Sequence, residues 1–125
     1  MNDEASIEAE VTFIPESEGG RKAPPEHLCG NNYRPHLVIG NPSQRQARLI
    51  GHFIAEEMLG IAFTSGPDNV RPGQTFTAKL ELAFYPHPAY DALVPGATFT
   101  IREGAQIVAY GRVISRTNLP KTQQS

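Results

Sequence analysis

The sequence predicts an all-β protein, a single closed antiparallel β-barrel of about six strands. Apolar and polar residues alternate along residues 6–14 and 74–85, which is the period of strands with one buried face. Residues 95–116 predict two further strands around a tight glycine turn, a β-hairpin. The 11 glycines and 11 prolines suit short strands joined by turns. A β-sandwich is the alternative, and we favour a barrel because closure leaves no edge strand exposed.

The first strand is predicted over residues 6–14, where four alternating apolar side chains share one face and Pro15 follows. Those four are Ile7, Ala9, Val11 and Phe13. Residues 1–5 are expected to form a disordered N-terminus, and residues 118–125 a loose C-terminal tail. The barrel domain is expected to span residues 6–117.

A long loop is predicted over residues 16–34, with paired glycines, paired prolines, and Arg21 and Lys22 near its centre. A loop of this length in a compact domain is usually functional or partly disordered, and the functional interpretation is a contact surface for a partner. An ordinary solvated loop is the simpler interpretation. A short apolar strand is predicted next, over residues 35–40.

The run LIGHFIAEEMLGIAF, residues 49–63, is compatible with a short helix or with two strands joined at Glu56-Glu57. Gly51, Gly60 and the β-branched isoleucines favour the two strands, because glycine and β-branched residues weaken a helix.

The last elements repeat the alternating pattern. In residues 74–85, Phe84 falls on the same apolar face as Phe76, and prolines close the strand. In the hairpin of residues 95–116, Arg102 and Glu103 lead into the turn, where we expect both side chains to stay solvated.

Composition limits the possible functions. At 125 residues the chain is one domain, and a net charge of -2 gives no overall attraction to nucleic acid. The single Cys29 excludes an internal disulfide, which fits a reducing compartment. The acidic N-terminus argues against a signal peptide, and no apolar run is long enough to cross a membrane. We therefore expect a cytoplasmic protein with no membrane contact.

Catalytic and metal-binding patterns have little support. His27, Cys29 and His36 match no standard zinc spacing, and nothing in the sequence places a base beside Cys29. The adjacent Glu56 and Glu57 point to opposite faces of a strand, a poor geometry for a pair of catalytic carboxylates. There is no phosphate-binding glycine motif. We expect no cofactor, no metal and no enzymatic activity.

A scattered set of cationic side chains is the remaining functional signal. Ordinary solvated charge is the simpler interpretation, and a few phosphate contacts on one rim are the alternative. The set is Arg21, Lys22, Arg34, Arg45, Arg48, Arg71, Arg102 and Arg112.

Several short motifs occur in a fixed order along nearly the whole chain. They are Glu10-Val11, Phe13-Ile14, Glu18-Gly19-Gly20-Arg21, Pro24, Tyr33-Arg34-Pro35, Phe99, Ile101-Arg102-Glu103-Gly104, Val108, Gly111 and Val113. In order and spacing this set resembles the C-terminal β-barrel domain (domain III) of elongation factor Tu and related translational GTPases. The resemblance implies an antiparallel barrel of about six strands.

The resemblance also implies a contact surface. In that family the barrel follows a GTPase domain and a second barrel; this chain has neither, so no GTP binding is expected. The family's barrel contacts the T-stem backbone of aminoacyl-tRNA, and by motif the corresponding positions here are Arg21, Lys22, His36 and Gln106. Gln106 replaces a basic residue of the family, Ala109 and Tyr110 replace small ones, and residues 43–65 depart from the family pattern.

Two functions of different classes follow. The first is a non-catalytic binding module that docks a protein partner through its loops or rebuilt middle segment, one version being a protein that imitates the elongation factor's surface. The second is a tRNA-backbone contact protein with Arg21, Lys22, Arg34 and Arg102 on phosphates. An enzyme is the third and least favoured. We expect the protein-binding module, with an unidentified partner.

Overall fold

The computed structural model describes residues 5–118, and in them the predicted all-β fold with a closed antiparallel barrel is confirmed. The strands are β1 (Ser6–Phe13), β2 (His36–Ile39), β3 (Leu49–Ile50), β4 (Phe53–Ile54), β5 (Leu59–Ser65), β6 (Thr75–Leu82), β7 (Thr98–Glu103) and β8 (Gln106–Arg116). Six of these close the barrel in the order β1-β6-β5-β2-β7-β8, while β3 and β4 form a separate two-stranded sheet. Two short 3-10 helices span Glu16–Glu18 and Pro88–Ala92.

Strand β1 closes the barrel because it pairs with β6 on one side and with β8 on the other. Val11, for example, lies opposite Phe76 on β6 and Gly111 on β8. A Cβ added at Gly111 would collide with the Glu10 carbonyl oxygen and the Phe99 ring. Glycine is therefore required at this position of β8, beside the backbone of β1.

The predicted hairpin of β7 and β8 is confirmed, with Glu103 opposite Gln106 and a two-residue turn between them. Gly104 begins this turn with a φ of 60°, which glycine adopts without strain. Phe99 and Ile101 point into the core as expected. The expectation that Arg102 is solvated is wrong, because its side chain is fully buried.

The strand interpretation of residues 49–63 is confirmed and the helical one is wrong. The first of the two expected strands divides further, into the tight β3–β4 hairpin. Gly51 causes the division: it has a φ of 62° at the first position of a two-residue loop, the position where such turns demand glycine.

Strand β6 ends at Leu82, earlier than its alternation predicts. Phe84 was expected in the core but is 68% exposed. The chain turns at this point, where the Tyr85 amide donates to the Leu82 carbonyl and the Phe84 amide donates to the Tyr90 hydroxyl. Because the strand period no longer applies past the turn, the Phe84 ring lies outside, over Gly60.

The predicted terminal segments fall largely outside the described residues. Residues 1–4 and 119–125 are not described. Ala5 is buried, and its carbonyl accepts a hydrogen bond from Leu82 at 2.9 Å. Within residues 5–118, no helix has both the length and the apolar character needed to span a bilayer.

Candidate functional site

A segment that we call the strap, residues 41–57, joins β2 to β5 and carries the β3–β4 hairpin. It crosses the outer face of β7. Phe99 and Ile101 of that strand belong to the core, so the alternating Thr100 and Arg102 face outward, yet both are buried. A groove of about 380 Å³ runs between strap and barrel, with Val38, Arg48 and Ala89 among its lining residues.

The strap is fastened to the barrel by an ion pair between Arg102 and Glu56. The Arg102 guanidinium donates from Nη1 to Glu56 Oε1 at 2.8 Å and from Nη2 to Oε2 at 3.2 Å. Its Nε donates to the Thr100 hydroxyl at 2.9 Å. The side-chain exposed fractions are 0% for Arg102 and 8% for Glu56. This bidentate pair fixes both position and orientation, because a planar guanidinium matches a carboxylate in one geometry.

The same carboxylate also organises the strap itself. Glu56 Oε2 accepts from the Gln44 side-chain amide, and Oε1 accepts from the Arg48 backbone amide, each at 2.9 Å. The Ala55 amide donates to the Arg48 carbonyl at 2.8 Å, which extends the β3–β4 ladder toward the barrel. The Glu56 side chain, which follows β4, thus connects the part of the strap before β3 to strand β7 of the barrel.

The protonation state of Glu56 follows from these contacts. The hydrogen bonds from Arg102 lower the pKa of Glu56 from 4.5 to about 2, against the opposing effect of desolvation. Glu56 is therefore ionised at neutral pH, and its negative charge is neutralised locally by Arg102.

A second contact holds the start of the strap. The Arg45 guanidinium lies over the Tyr110 ring of β8, 5.0 Å from its centroid, and donates to the Pro42 carbonyl at 2.7 Å. A cation over an aromatic face is attracted by the ring quadrupole. The strap is thus attached to β8 at one end and to β7 at the other.

The tip of the strap presents apolar side chains to solvent. Leu49 is 54% exposed, Ile50 73% and Phe53 79%. Ile50 and Phe53 are cross-strand partners, so their side chains lie side by side on one face of the hairpin. Large apolar side chains grouped at an exposed tip mark an interaction surface more often than a folding requirement.

Arg21, one of the predicted contact residues, lies at the rim of the barrel in a cluster with Tyr33 and Glu103. Arg21 forms an ion pair with the Glu103 carboxylate, and the Tyr33 hydroxyl donates to the same oxygen at 2.6 Å. The guanidinium also lies over the Tyr33 ring, 5.5 Å from its centroid. Burial and the bond to Glu103 raise the pKa of Tyr33 well above its usual range. Much of the charge of Arg21 is therefore already balanced.

Gln106 and Lys22 lie in the same region. The Gln106 amide donates to the carbonyls of Gly19 and Gly20 at 3.2 and 3.1 Å. Lys22, two residues beyond, is exposed. The structure thus brings the predicted positions 21, 22 and 106 to one rim of the barrel.

The other predicted contact residues are not gathered with them. His36 and Arg34 are exposed near the start of β2, and His36 is paired in register with Arg102 on β7. Arg102 itself is buried beneath the strap, so its predicted place on a phosphate-contacting surface is wrong. Its guanidinium forms an ion pair with Glu56 instead.

The residues considered for metal binding are separated. No cluster of three or more histidine, cysteine or acidic side chains occurs within residues 5–118. His27 Nδ1 donates to the Asp68 carboxylate at 3.0 Å, and this contact raises the pKa of His27. Cys29 is a free, exposed thiol.

Reasoning from the sequence missed the exposed tip and the role of Glu56. A signal was present in residues 49–54, since Leu49, Ile50, Phe53 and Ile54 place apolar side chains on both faces of an extended segment. A strand with one face in the core would alternate. The partner of Glu56 was hidden because Arg102 is separated from it by 46 positions.

A comparison with models of protein families finds none that matches this chain.

Proposed function

We propose that this chain is a non-catalytic binding module that docks a protein partner through the tip of the strap. The observation that carries the proposal is the exposure of Leu49, Ile50 and Phe53 on a hairpin that is fixed to the barrel. Apolar and aromatic side chains at the centre of a contact supply most of the affinity in protein complexes.

The fastening of the strap supports this proposal. A mobile loop loses conformational entropy when it binds, whereas a hairpin held by a bidentate ion pair has already lost it. Glu56 and Arg102 hold the hairpin in one position relative to the barrel. The tip is thus pre-organised for a partner of complementary shape.

The test is photo-crosslinking from the tip. A benzoylphenylalanine replaces Ile50 in the full chain, and the control carries the same group at Lys79 on β6, which is exposed and lies opposite β7 in the closed strand order. After irradiation in a cell lysate, we expect a discrete covalent adduct from position 50 and none from position 79. Equal labelling at both positions, or none at position 50, contradicts the proposal.

We further propose that the barrel is a relative of the C-terminal barrel of elongation factor Tu, acting in the cytoplasm. The closed six-strand order and the β7–β8 hairpin agree with the fold that the sequence motifs imply. The free thiol of Cys29 fits a reducing compartment.

A second candidate function is contact with the tRNA backbone. It is favoured by the meeting of Arg21, Lys22 and Gln106 at one rim. The test is a salt titration of tRNA binding, with Lys22→Ala as the variant and Lys79→Ala as the matched control. We expect tRNA binding at low salt that weakens as the salt concentration increases. Lys22→Ala is expected to reduce this binding, and Lys79→Ala is expected to leave it unchanged. No binding at low salt contradicts this function.

A further inference from the structure

We infer that the surface docked by the strap is an apolar pocket with a carboxylate rim on another protein. This inference rests on the proposed function and adds the chemistry of the partner to it. Two features of the strap carry the inference: a local surplus of positive charge, and the position of Arg48 beside the exposed apolar pair Ile50 and Phe53.

The charge of the strap differs from that of the chain. Residues 41–55 contain Arg45 and Arg48 and no aspartate or glutamate, although the whole chain has a net charge of -2. The first acid that follows, Glu56, is neutralised by Arg102. The second acid of the strap, Glu57, is exposed, so Arg45 and Arg48 leave a surplus of one positive charge on the strap. This surplus favours a negative partner.

Arg48 places its positive charge on the same face of the hairpin as the exposed apolar side chains. Its carbonyl accepts from the Ala55 amide, so the hairpin ladder continues one pair beyond Leu49 and Ile54. Side chains two positions apart on a strand share a face, which puts Arg48 on the face of Ile50. Phe53, the cross-strand partner of Ile50, completes that face.

The Arg48 side chain is also able to bind a partner's carboxylate. It is exposed, and among the described residues its guanidinium takes part in no ion pair. The Arg48 backbone is nevertheless fixed by Glu56 and Ala55. An arginine whose backbone is held in place and whose guanidinium is unpaired, next to an aromatic ring, often contributes much of the affinity of a protein interface.

These features favour a protein over a lipid surface or RNA. A fluid lipid surface adapts to any apolar segment and gains nothing from a hairpin held in one orientation by Arg102 and Glu56. Single-stranded RNA stacks successive bases on several aromatic faces, whereas the tip has one aromatic side chain, Phe53, and its other two exposed apolar side chains are aliphatic. A folded pocket with carboxylates at its edge matches both the shape and the charge of the tip.

The experiment uses the full chain with benzoylphenylalanine at position 50 and compares adduct yields between charge variants. Arg48→Glu is the test, Arg48→Lys is the conservative variant, and Arg71→Glu is the matched control on an exposed arginine outside the strap. We expect Arg48→Glu to reduce the yield about tenfold, and Arg48→Lys and Arg71→Glu to change it less than about twofold. Raising the ionic strength from about 0.05 M to about 0.5 M is expected to lower the wild-type yield.

Mass spectrometry of the adduct supplies a second readout. Peptides crosslinked to position 50 are expected to lie next to aspartate or glutamate side chains on the partner. A yield unaffected by Arg48→Glu, or crosslinked surfaces that are basic, overturns the inference and leaves the proposed function standing. Absence of any adduct at position 50 overturns the proposed function as well.

Vesicle sedimentation tests the lipid alternative directly. Vesicles of phosphatidylcholine with phosphatidylserine are compared with vesicles of phosphatidylcholine alone. We expect the chain to stay in the supernatant with both. Sedimentation with the phosphatidylserine vesicles that is lost in Phe53→Ser overturns the inference, because the partner would then be a membrane surface.

Discussion

In the barrel, β1 and β6 turn their alternating apolar side chains inward, and residues such as Val11 and Leu80 are fully buried. In the strap, β3 and β4 turn Ile50 and Phe53 outward into solvent. The two regions also differ in what holds them. The barrel is held by its apolar core and strand ladders, whereas the strap is fastened to the wall by the polar contacts of Glu56 and Arg45.

The difference separates folding from function. Apolar burial drives folding, so apolar side chains that a structure keeps exposed contribute little to stability. The strap is fastened without burying Ile50 or Phe53, because Glu56 supplies a polar contact with the barrel. Ile50 and Phe53 thereby stay exposed, as the proposed docking function requires. This separation is tested by comparing how substitutions in the barrel and in the strap change the free energy of unfolding and the adduct yield.

The largest effect is expected in the barrel core. Phe99 is fully buried, and its ring approaches Gly111, its cross-strand partner on β8. Phe99→Ala removes this packing and leaves a cavity, so we expect the free energy of unfolding to fall by about 3–5 kcal/mol. Urea denaturation measures it. A loss below about 1 kcal/mol would mean that the core does not carry the stability of the barrel.

The fastening of the strap is tested next by Glu56→Ala. This change leaves the fully buried Arg102 without its carboxylate, and we expect a loss of about 3 kcal/mol. Its neighbour Glu57 is exposed and serves as the control. Glu57→Ala is expected to change stability by less than about 0.5 kcal/mol. Equal effects of the two substitutions would contradict the role of Glu56.

The same ion pair predicts a dependence on pH. The folded-state pKa of Glu56 is lowered to about 2 from 4.5, so its contribution is fully present above pH 4.5 and is lost as the pH falls toward 2. We expect the wild type to lose roughly 2 kcal/mol more than Glu56→Gln between about pH 5 and about pH 3. Denaturation curves across this range measure the difference. Parallel losses in both proteins would exclude the low pKa.

The barrel was accessible from the sequence because its strands are long enough to show a period. Eight residues of β1 and eight of β6 alternate cleanly, and the Gly104 turn marks the last hairpin. The strap was not accessible in this way. Its strands, Leu49–Ile50 and Phe53–Ile54, have two residues each, too few to define a period.

Long-range pairs were the other limit. Arg102 looked like a solvated residue before a turn, because nothing near it in sequence foretells burial beneath the strap. Likewise Glu103 meets Arg21 across 82 positions and Tyr33 across 70. Periodicity assigns a side chain to a face of a strand, but which segment covers that face depends on the tertiary fold.

The smallest effect on stability is expected at the tip. Phe53→Ser replaces a ring that is 79% exposed, so the free energy of unfolding should change by less than about 0.5 kcal/mol. The contrast with Phe99→Ala is the sharpest form of the comparison, since both positions hold phenylalanine on a strand. A loss of several kcal/mol in Phe53→Ser would show that the tip belongs to the folding core.

The most direct test of the separation is the adduct yield of Phe53→Ser with benzoylphenylalanine at position 50. We predict that this variant keeps the unfolding free energy of its parent and loses about nine tenths of the adduct, as removal of an aromatic centre of affinity requires. An undiminished adduct in a fully folded Phe53→Ser chain would contradict the assignment of the strap tip as the docking surface.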